Sequence, residues 1–406
     1  MSLRSWTIWT FSAFFYAYQY ILRVMPNVFM SDLTEAFSLD PAQFGQFAGI
    51  YYTGYTLSHI PIGIALDRFG PKYTVPICSA LCILGILPMI YADNFTYVIA
   101  GRFLLGAGST CAALGMFKVM SMICPEDKFI RMFSLAATLG LLGAVFGGSP
   151  LHYLRSYFPW QEIMLIFVVC GICLTILMFF IFPKLLNKSQ ASPKDDLLSI
   201  MGKKWIWIVA IGGGCLIGPL EGYSDAWAMQ SLVDLYHVST DVASHGSSLI
   251  FLSFAVGLLF IDKIVKKFGI DETVMMAGGL LFVAFVIVIS GLAPLWLVPV
   301  ALFGIGFASS YQVPAVCGIV RFVPHEMTSL AFAVANMIML MFGTFYHTII
   351  GNCIRTFGSN AIMNQGICHY DQGVYQKGFI IIPIMLLVGI ALFAYVRVHN
   401  KDKSQL

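Results

Sequence analysis

Five ionisable side chains stand inside long apolar runs of this sequence: Arg23, Arg102, Lys118, Glu221 and Asp225. A charge in hydrocarbon costs at least about 2.5–3.5 kcal/mol, so each marks a place where a partner, ligand or ion is expected. Arg23 offers a fixed cation to an anionic group such as a carboxylate. Glu221 can take a proton or bind an ammonium group, and Asp225 follows one turn later, where Gly218-Pro219 and Gly222 loosen the helix. Arg23 and Glu221 can equally neutralise each other as a latch, and the two readings coexist if a ligand competes for the pair. Around Arg23, the residues Tyr16, Gln19, Tyr20 and Asn27 recur at spacings of three and four, which puts them on one polar stripe of a helix. Arg102 and Lys118 share one run, 16 residues apart, and differ by roughly 160° in azimuth, so they cannot both point into one cavity. Arg102 is the candidate for a ligand, and Lys118 for reaching the interface with its long stem.

Further polar groups fall in apolar segments. Tyr51, Tyr52, Tyr55 and His59 crowd one helix, where tyrosine hydroxyls can hydrogen-bond a ligand or the rings can simply pack. His59 is a candidate for proton exchange near neutral pH, with helix packing as its other reading. Tyr311-Gln312 before Pro314, Asn336, and Tyr346-His347 could complete a site from the second half of the chain. Asn336 stands out, since a mid-helix amide needs partners that lipid cannot supply. Most of the ten cysteines lie in apolar runs with no acid or histidine beside them and read as small buried hydrophobes. Cys353 and Cys368 fall on the side where disulfides persist, and a bond between them would brace the loop from Arg355 to Lys377. His369 and Asp371 follow, but His-x-Asp alone is no metal signal, and no metal is expected.

The elements that position these groups follow from composition. Only 11% of the 406 residues are charged and 59% are hydrophobic, against about 25% charged in a soluble globular chain. Nucleic-acid binders, disordered chains and ordinary cytosolic enzymes are excluded. Apolar runs near the ~20 residues that cross a bilayer predict an all-α membrane protein with twelve transmembrane helices. They are placed near 6–30, 43–66, 73–92, 95–120, 129–153, 160–182, 205–231, 242–261, 273–292, 295–319, 327–351 and 378–397. Starting inside, Lys and Arg collect on the cytoplasmic face, leaving Arg155, Arg355 and Lys377 opposite. Both termini are therefore expected in the cytoplasm, and the first span is expected to be retained rather than cleaved.

The polar stretch 184–204 reads as a cytoplasmic linker between two six-helix halves, residues 1–183 and 205–406. Self-similarity at an offset near 200 supports this: Gly106-Ala107-Gly108-Ser109-Thr110 aligns with Gly306-Phe307-Ala308-Ser309-Ser310, and Phe69-Gly70 with Phe268-Gly269. A parallel repeat about an axis along the membrane normal implies a substrate site between the halves, near the midplane. It also pairs the first span with the seventh, setting Arg23 and Glu221 at matching depth.

Gly63-Ile64-Ala65-Leu66-Asp67-Arg68-Phe69-Gly70-Pro71-Lys72 resembles the cytoplasmic gating motif of the major facilitator superfamily. Gly101-Arg102-Phe103-Leu104-Leu105-Gly106-Ala107-Gly108 resembles that family's helix 4 motif, which implies that Arg102 faces helix 1 or the cavity, and Gly140 to Pro150 its Gly/Pro-rich helix 5 motif. The resemblance covers essentially the whole chain and implies that family's fold, with monomeric function. It also implies a gate in which Asp67 faces a helix N-terminus near Met327 while Arg68 and Lys72 meet Glu126 or Asp127. The second copy, Asp262 to Gly269, is stretched by insertion, so a weaker gate is expected there. Tyr18 to Pro26 and His59-Ile60-Pro61-Ile62-Gly63 look like the phagosomal-transporter branch, which imports amino acids and nucleosides. His59 stands where that branch is expected to carry Gln, a departure that bears on the substrate and not on the fold.

No Gly-x-x-x-x-Gly-Lys-Ser/Thr phosphate loop occurs in the sequence, and a filter-type pore would need rings of like residues. The expected function is therefore secondary transport across an inner membrane by alternating access, driven by a proton gradient without a cofactor. Uptake of an amino acid or similar small nutrient comes first. The alternative is proton antiport that exports a siderophore or organic anion, or import of such a solute; a non-transporting receptor is the remote one. The implied partners are a small-molecule substrate, protons and lipid, with no nucleic acid.

Overall fold

The computed structural model describes residues 3–123, 126–184, 193–323, 328–358, 362–364 and 367–399. They form helices and one short hairpin in two compact units: residues 1–39 with 46–190, and residues 40–45 with 191–406.

The first unit contains α1 (Leu3–Val24), α2 (Pro26–Phe37), α3 (Pro41–Leu57) from Gln46 onward, its first residues to Gly45 belonging to the second unit, α4 (His59–Phe69), α5 (Pro71–Tyr91), α6 (Phe95–Ile123), α7 (Glu126–Phe146), α8 (Ser149–Arg155) and α9 (Trp160–Ile181). Its breaks coincide with residues that cannot continue a helix. Pro26 lacks the N–H that Leu22 would receive, so the expected span 6–30 divides at Met25. The expected span 43–66 divides at Ser58, where the ring of Pro61 crowds the carbonyl four residues earlier. Gly147-Gly148 before Pro150 likewise divides 129–153 into α7 and α8. Asp40 and Gln43 cap α3 reciprocally: the Gln43 N–H donates to Asp40 Oδ1 (2.8 Å) and the Asp40 N–H to Gln43 Oε1 (2.9 Å). α1 lies against α7 because Gly140, Gly143 and Gly147 leave room for Tyr16, Ala17 and Val24. Trp9 and Tyr18 anchor α1 further, donating to the carbonyls of Met132 (3.0 Å) and Phe167 (2.9 Å).

The second unit contains α10 (Pro193–Met201), α11 (Lys204–Pro219), a π-helical segment Leu220–Ser224, α12 (Ala228–Tyr236), α13 (Thr240–Phe268), α14 (Ile270–Ser290), α15 (Leu297–Ser309), α16 (Gln312–Cys317), a 3-10 turn Gly318–Phe322, α17 (Thr328–Phe357), α18 (Gln372–Phe379) and α19 (Ile381–His399). The expected seventh span is thus three pieces, and the tenth and twelfth are each interrupted. All-α holds apart from antiparallel β1 (Ile362–Asn364) and β2 (Ile367–His369), which pair Met363 with Cys368 in the loop before α18. Cys353 is a free cysteine within α17, so the expected disulfide with Cys368 does not form. The register sets Cys368 opposite Met363 on the hairpin, whereas Cys353 lies inside the helix, before its last turn.

Internal geometry repeats between the units as well. Gly70 and Gly269, the aligned motif glycines, share one backbone conformation, φ 79 and ψ 170 against φ 87 and ψ 168. Side-chain-bearing residues rarely adopt it, and here it turns the chain directly from one helix into the next. Gly106 and Gly306, also aligned, each abut a backbone carbonyl, of Tyr51 and Ile250 respectively, so a Cβ fits at neither. Ten helices among the described residues are long and apolar enough to cross a membrane. The expected first and second spans are present as helices but are not among the ten, because their polar stripes and breaks shorten the apolar run.

Just beyond Gly269, the second unit carries a buried ion pair that sequence reading did not single out. Arg321 meets Asp271 with both terminal nitrogens, Nη1 to Oδ2 at 2.9 Å and Nη2 to Oδ1, and the two side chains are 5% and 0% exposed. Beside it Arg397 Nε pairs with Glu272 at 2.8 Å. Removing one partner strands a buried charge, whereas replacing both with apolar residues of similar size does not. Asp271→Ala is therefore expected to cost about 3–5 kcal/mol in unfolding of the detergent-solubilised protein, while the double change Asp271→Leu with Arg321→Met recovers most of that loss.

Candidate functional site

In the first unit the site grows out of the break in α1. Because Pro26 has no N–H, the carbonyls ending α1 need another donor, and bilayer hydrocarbon offers none. Arg102 of α6 supplies it: Nη1 donates to the Leu22 carbonyl (2.7 Å) and Nη2 to that of Arg23 (2.8 Å). The Arg102 guanidinium also lies over the rings of Tyr51 and Phe47, 4.7 and 5.2 Å from their centroids. Of the two directions expected for Arg102, helix 1 or the cavity, these bonds are to helix 1, and Arg102 is a buried brace on the end of α1.

Arg23, held by its own carbonyl, lies with its guanidinium 5.0 Å from the Tyr20 ring and 5.2 Å from the Tyr52 ring. Tyr16 meets Tyr20 edge-on at 5.1 Å, and Gln19 accepts from the Tyr51 hydroxyl at 2.9 Å. Tyr51 stacks on Tyr55, which contacts the His59 ring at 5.0 Å. His59 Nδ1 lies 3.1 Å from the Tyr55 carbonyl, which can only accept, so Nδ1 carries the proton in that contact. The Thr110 hydroxyl donates to the same carbonyl at 2.7 Å. Tyr16, Gln19, Tyr20, Arg23, Tyr52, Tyr55 and His59 therefore form one aromatic and cationic cluster, with Arg102 supporting it from behind. Lys118, on the same helix as Arg102, is half-buried.

Of the expected gate, Arg68 is exposed with its guanidinium 5.8 Å from the Phe69 ring, and Lys72 Nζ is 5.6 Å from that of Phe179. Asp67, Glu126 and Asp127 lie on described helices, but their side chains, like all of Met327, are outside the described residues.

In the second unit the break lies between α11 and α12. Gly218 and Gly222 abut Tyr346, whose hydroxyl donates to the Cys215 carbonyl at 3.0 Å. Tyr223 points elsewhere, edge-on to Phe285 and Phe379, and accepts from the Ser231 hydroxyl at 3.0 Å. Glu221 and Asp225 are each 2% exposed on this segment. The Tyr311 hydroxyl donates to the Gly213 carbonyl at 3.2 Å, a packing role, while Gln312 and Asn336 are half-buried. Sequence reading missed a second carboxylate cluster: Asp234 accepts from the Tyr375 hydroxyl (2.7 Å), Gln230 Nε2 (3.1 Å) and the Tyr370 N–H (3.4 Å). An acid nine residues beyond Asp225 was the available signal, but the seventh span was drawn to end at 231. Among the described residues no group of three or more His, Cys, Asp or Glu side chains could hold a metal ion.

Residues 10–346 match the family described as Major Facilitator Superfamily, and the chain belongs to it. Among curated proteins it is similar to NicT of Pseudomonas putida, named for metabolite transport, at 25% identity over 47% of this chain and 46% of that protein. It is also similar to the multidrug resistance protein MdtL of Shigella flexneri serotype 5b, at 25% identity over 40% of this chain and 42% of that one. The chain thus matches less than half the length of these relatives. Among solved structures, a bacterial homologue of the human lysosomal transporter Spinster, inward-facing and occupied, has a TM-score of 0.77 at 15% identity, covering 100% of this chain and 99% of that one. The D-xylose-proton symporter has a TM-score of 0.71 at 12% identity, over 95% and 96%. The fold is shared with these transporters, and the family is one of transporters rather than enzymes.

The brace on α1 has a measurable consequence. Arg102→Met removes two charge-assisted hydrogen bonds, each worth about 1.5–3 kcal/mol, and should lower the melting temperature clearly. Arg102→Lys, keeping charge but not the fork that spans two carbonyls, should recover only part of the loss.

Proposed function

We propose that this member of the Major Facilitator Superfamily is a secondary active transporter of the inner membrane. On this reading it has twelve spans with both termini cytoplasmic, and it imports a small polar or charged solute by alternating access. The observation that carries this reading is the pairing of a buried charge with a break in the first long helix of each unit. Arg23 lies next to the break that follows Val24, and Glu221 within the π-helical segment that follows Pro219. Discontinuous helices expose backbone groups and charged side chains where solute and coupling ion are bound in many transporters.

Arg23, desolvated between two tyrosine rings, anchors an anionic group of the solute. Glu221 carries the coupling proton, assisted by Asp225 and His59, so the proton gradient drives uptake and no cofactor is needed. Tyr16, Gln19, Tyr20, Tyr52 and Tyr55 shape the solute's surroundings in the first unit, and Gln312 and Asn336 do so in the second. An amino acid or similar nutrient fits a cationic anchor and a titratable acid. Asp67, Arg68 and Lys72 with Glu126 and Asp127 form the cytoplasmic gate, and the functional unit is the monomer in lipid. The likeness to MdtL supports a second reading, export of an organic anion by proton antiport.

A thermal-shift screen against amino acids, nucleosides, organic acids and iron chelates identifies the class that raises the melting temperature through mass action. In proteoliposomes, Glu221→Gln should abolish uptake driven by an inward proton gradient while preserving counterflow exchange, and Arg23→Ala should abolish binding. Uptake that persists unchanged in both variants would refute the assignment, and accumulation only against an outward proton gradient in right-side-out vesicles would favour export.

A further inference from the structure

Two helix breaks of the first unit lie side by side. α1 ends at Val24 and α2 begins at Pro26, while α7 ends at Phe146 and α8 begins at Ser149. Between the latter pair Gly148 leaves helical geometry, with φ -95 and ψ -112. A Cβ at Gly147 would collide with Val24 Cγ2, so the last residue of α1 rests directly on the break after α7. Before this point the two helices are held by close approach, Gly143 against the Ala17 backbone and Gly140 against the Tyr16 ring. Arg102 fixes the end of α1 through the Leu22 and Arg23 carbonyls.

Beyond the breaks the connection changes in kind. Arg155, the last residue of α8, grips Asp32 in the middle of α2, with Nε 2.6 Å from Oδ2 and Nη2 2.9 Å from Oδ1. A guanidinium–carboxylate fork fixes orientation as well as distance. The Phe37 ring of α2 also meets Phe95 at the start of α6, with centroids 6.4 Å apart, an apolar contact without the direction of the fork. Proline and paired glycines are where helices bend, and hinges are a few such residues that absorb the change in φ and ψ. Two hinges at one level share an axis, and a two-point tie beyond them leaves the segments one motion that keeps the tie intact, which is rotation together. We infer that α2 and α8 form one hinged clamp, pivoting where Val24 meets Gly147 and kept in step by the Asp32–Arg155 pair. Its role rests on the transporter reading, which sets both segments at the outer face, where opening admits solute toward Arg23, two residues before the hinge at Met25.

Hydrogen exchange read by mass spectrometry on the detergent-solubilised full chain tests the clamp, because segments that open as one body share one protection. In the unaltered protein, residues 28–37 and 151–156 should be equally protected, and both less so than α1 and α7. Asp32→Asn and Arg155→Gln should each speed exchange about fivefold in both segments, by the same factor because coupling between two sites is reciprocal, and leave α1 and α7 unchanged. The exchanged pair, Asp32→Arg with Arg155→Asp, should bring both segments back toward the native rates. Acceleration confined to the altered residue's own segment overturns the clamp, since the two then move independently. Acceleration that spreads to α1 and α7 also overturns it, since the pair then staples the whole unit, and so does no acceleration at all. No solute or gradient enters the measurement, so failure here leaves the transporter reading standing, and failure of the uptake assays leaves the coupled motion standing.

Discussion

Hydrocarbon neither donates nor accepts a hydrogen bond, so a helix that breaks inside a bilayer must find partners for its freed backbone groups within the protein. Much of the polar architecture of this chain answers that constraint. Pro26 removes one donor from α1, and Arg102 answers with two, reaching the Leu22 and Arg23 carbonyls. Once the guanidinium is committed there, Tyr51 and Phe47 pack over it, Gln19 accepts from Tyr51, and the aromatic cluster around Arg23 takes its shape. In the second unit, a tyrosine hydroxyl from α17 reaches the Cys215 carbonyl of α11 shortly before the π-helical segment.

The same constraint explains why glycine does so much of the packing. Lipid tails are as apolar as leucine, so helices gain little by hiding apolar faces from them and associate through close approach instead. Gly140, Gly143 and Gly147 let α7 lie against α1, and Gly85 and Gly101 bring α5 and α6 backbone to backbone. The recurrence of one carbonyl contact at Gly106 and Gly306, and of one backbone conformation at Gly70 and Gly269, shows that the repeat preserves geometry where side-chain identity has drifted. Arg102 has no such counterpart, since the aligned position is Leu302. The brace belongs to one unit only.

Several charges away from the breaks are paired. Asp271 and Arg321 are buried together beyond Gly269, and Arg155 holds Asp32 through two nitrogens at 2.6 and 2.9 Å. Asp234 is surrounded by donors from α12, α18 and the residue preceding the last loop. Ser224 Oγ and Trp227 Nε1 are among the buried polar atoms without a hydrogen-bond partner among the described residues, and they fall at the break that also carries Glu221.

The sequence alone was sufficient for the all-α membrane class, the approximate course of the helices and four of the buried charges, Arg23, Arg102, Glu221 and Asp225. Apolar run length and the cost of an unpaired charge are local quantities, legible residue by residue. Of the places where helices break, only Gly218-Pro219 with Gly222 read as a weak point, while the breaks at Pro26, Pro61 and Gly147-Gly148 fall inside spans expected to be continuous. Partner choice was not legible. Arg102 was expected to face helix 1 or the cavity, and nothing in its own segment reveals that Leu22, 80 residues away in the chain, lacks a donor. Tyr311 read as a site residue and holds the Gly213 carbonyl, Cys353 and Cys368 were expected to share a bond that does not form, and Asp234 was not singled out. Hydrogen bonds have a reach of about 3 Å and a direction, so which groups meet is set by tertiary packing, and only that packing sets Arg102 on the end of α1 and Arg23 against the Tyr20 and Tyr52 rings.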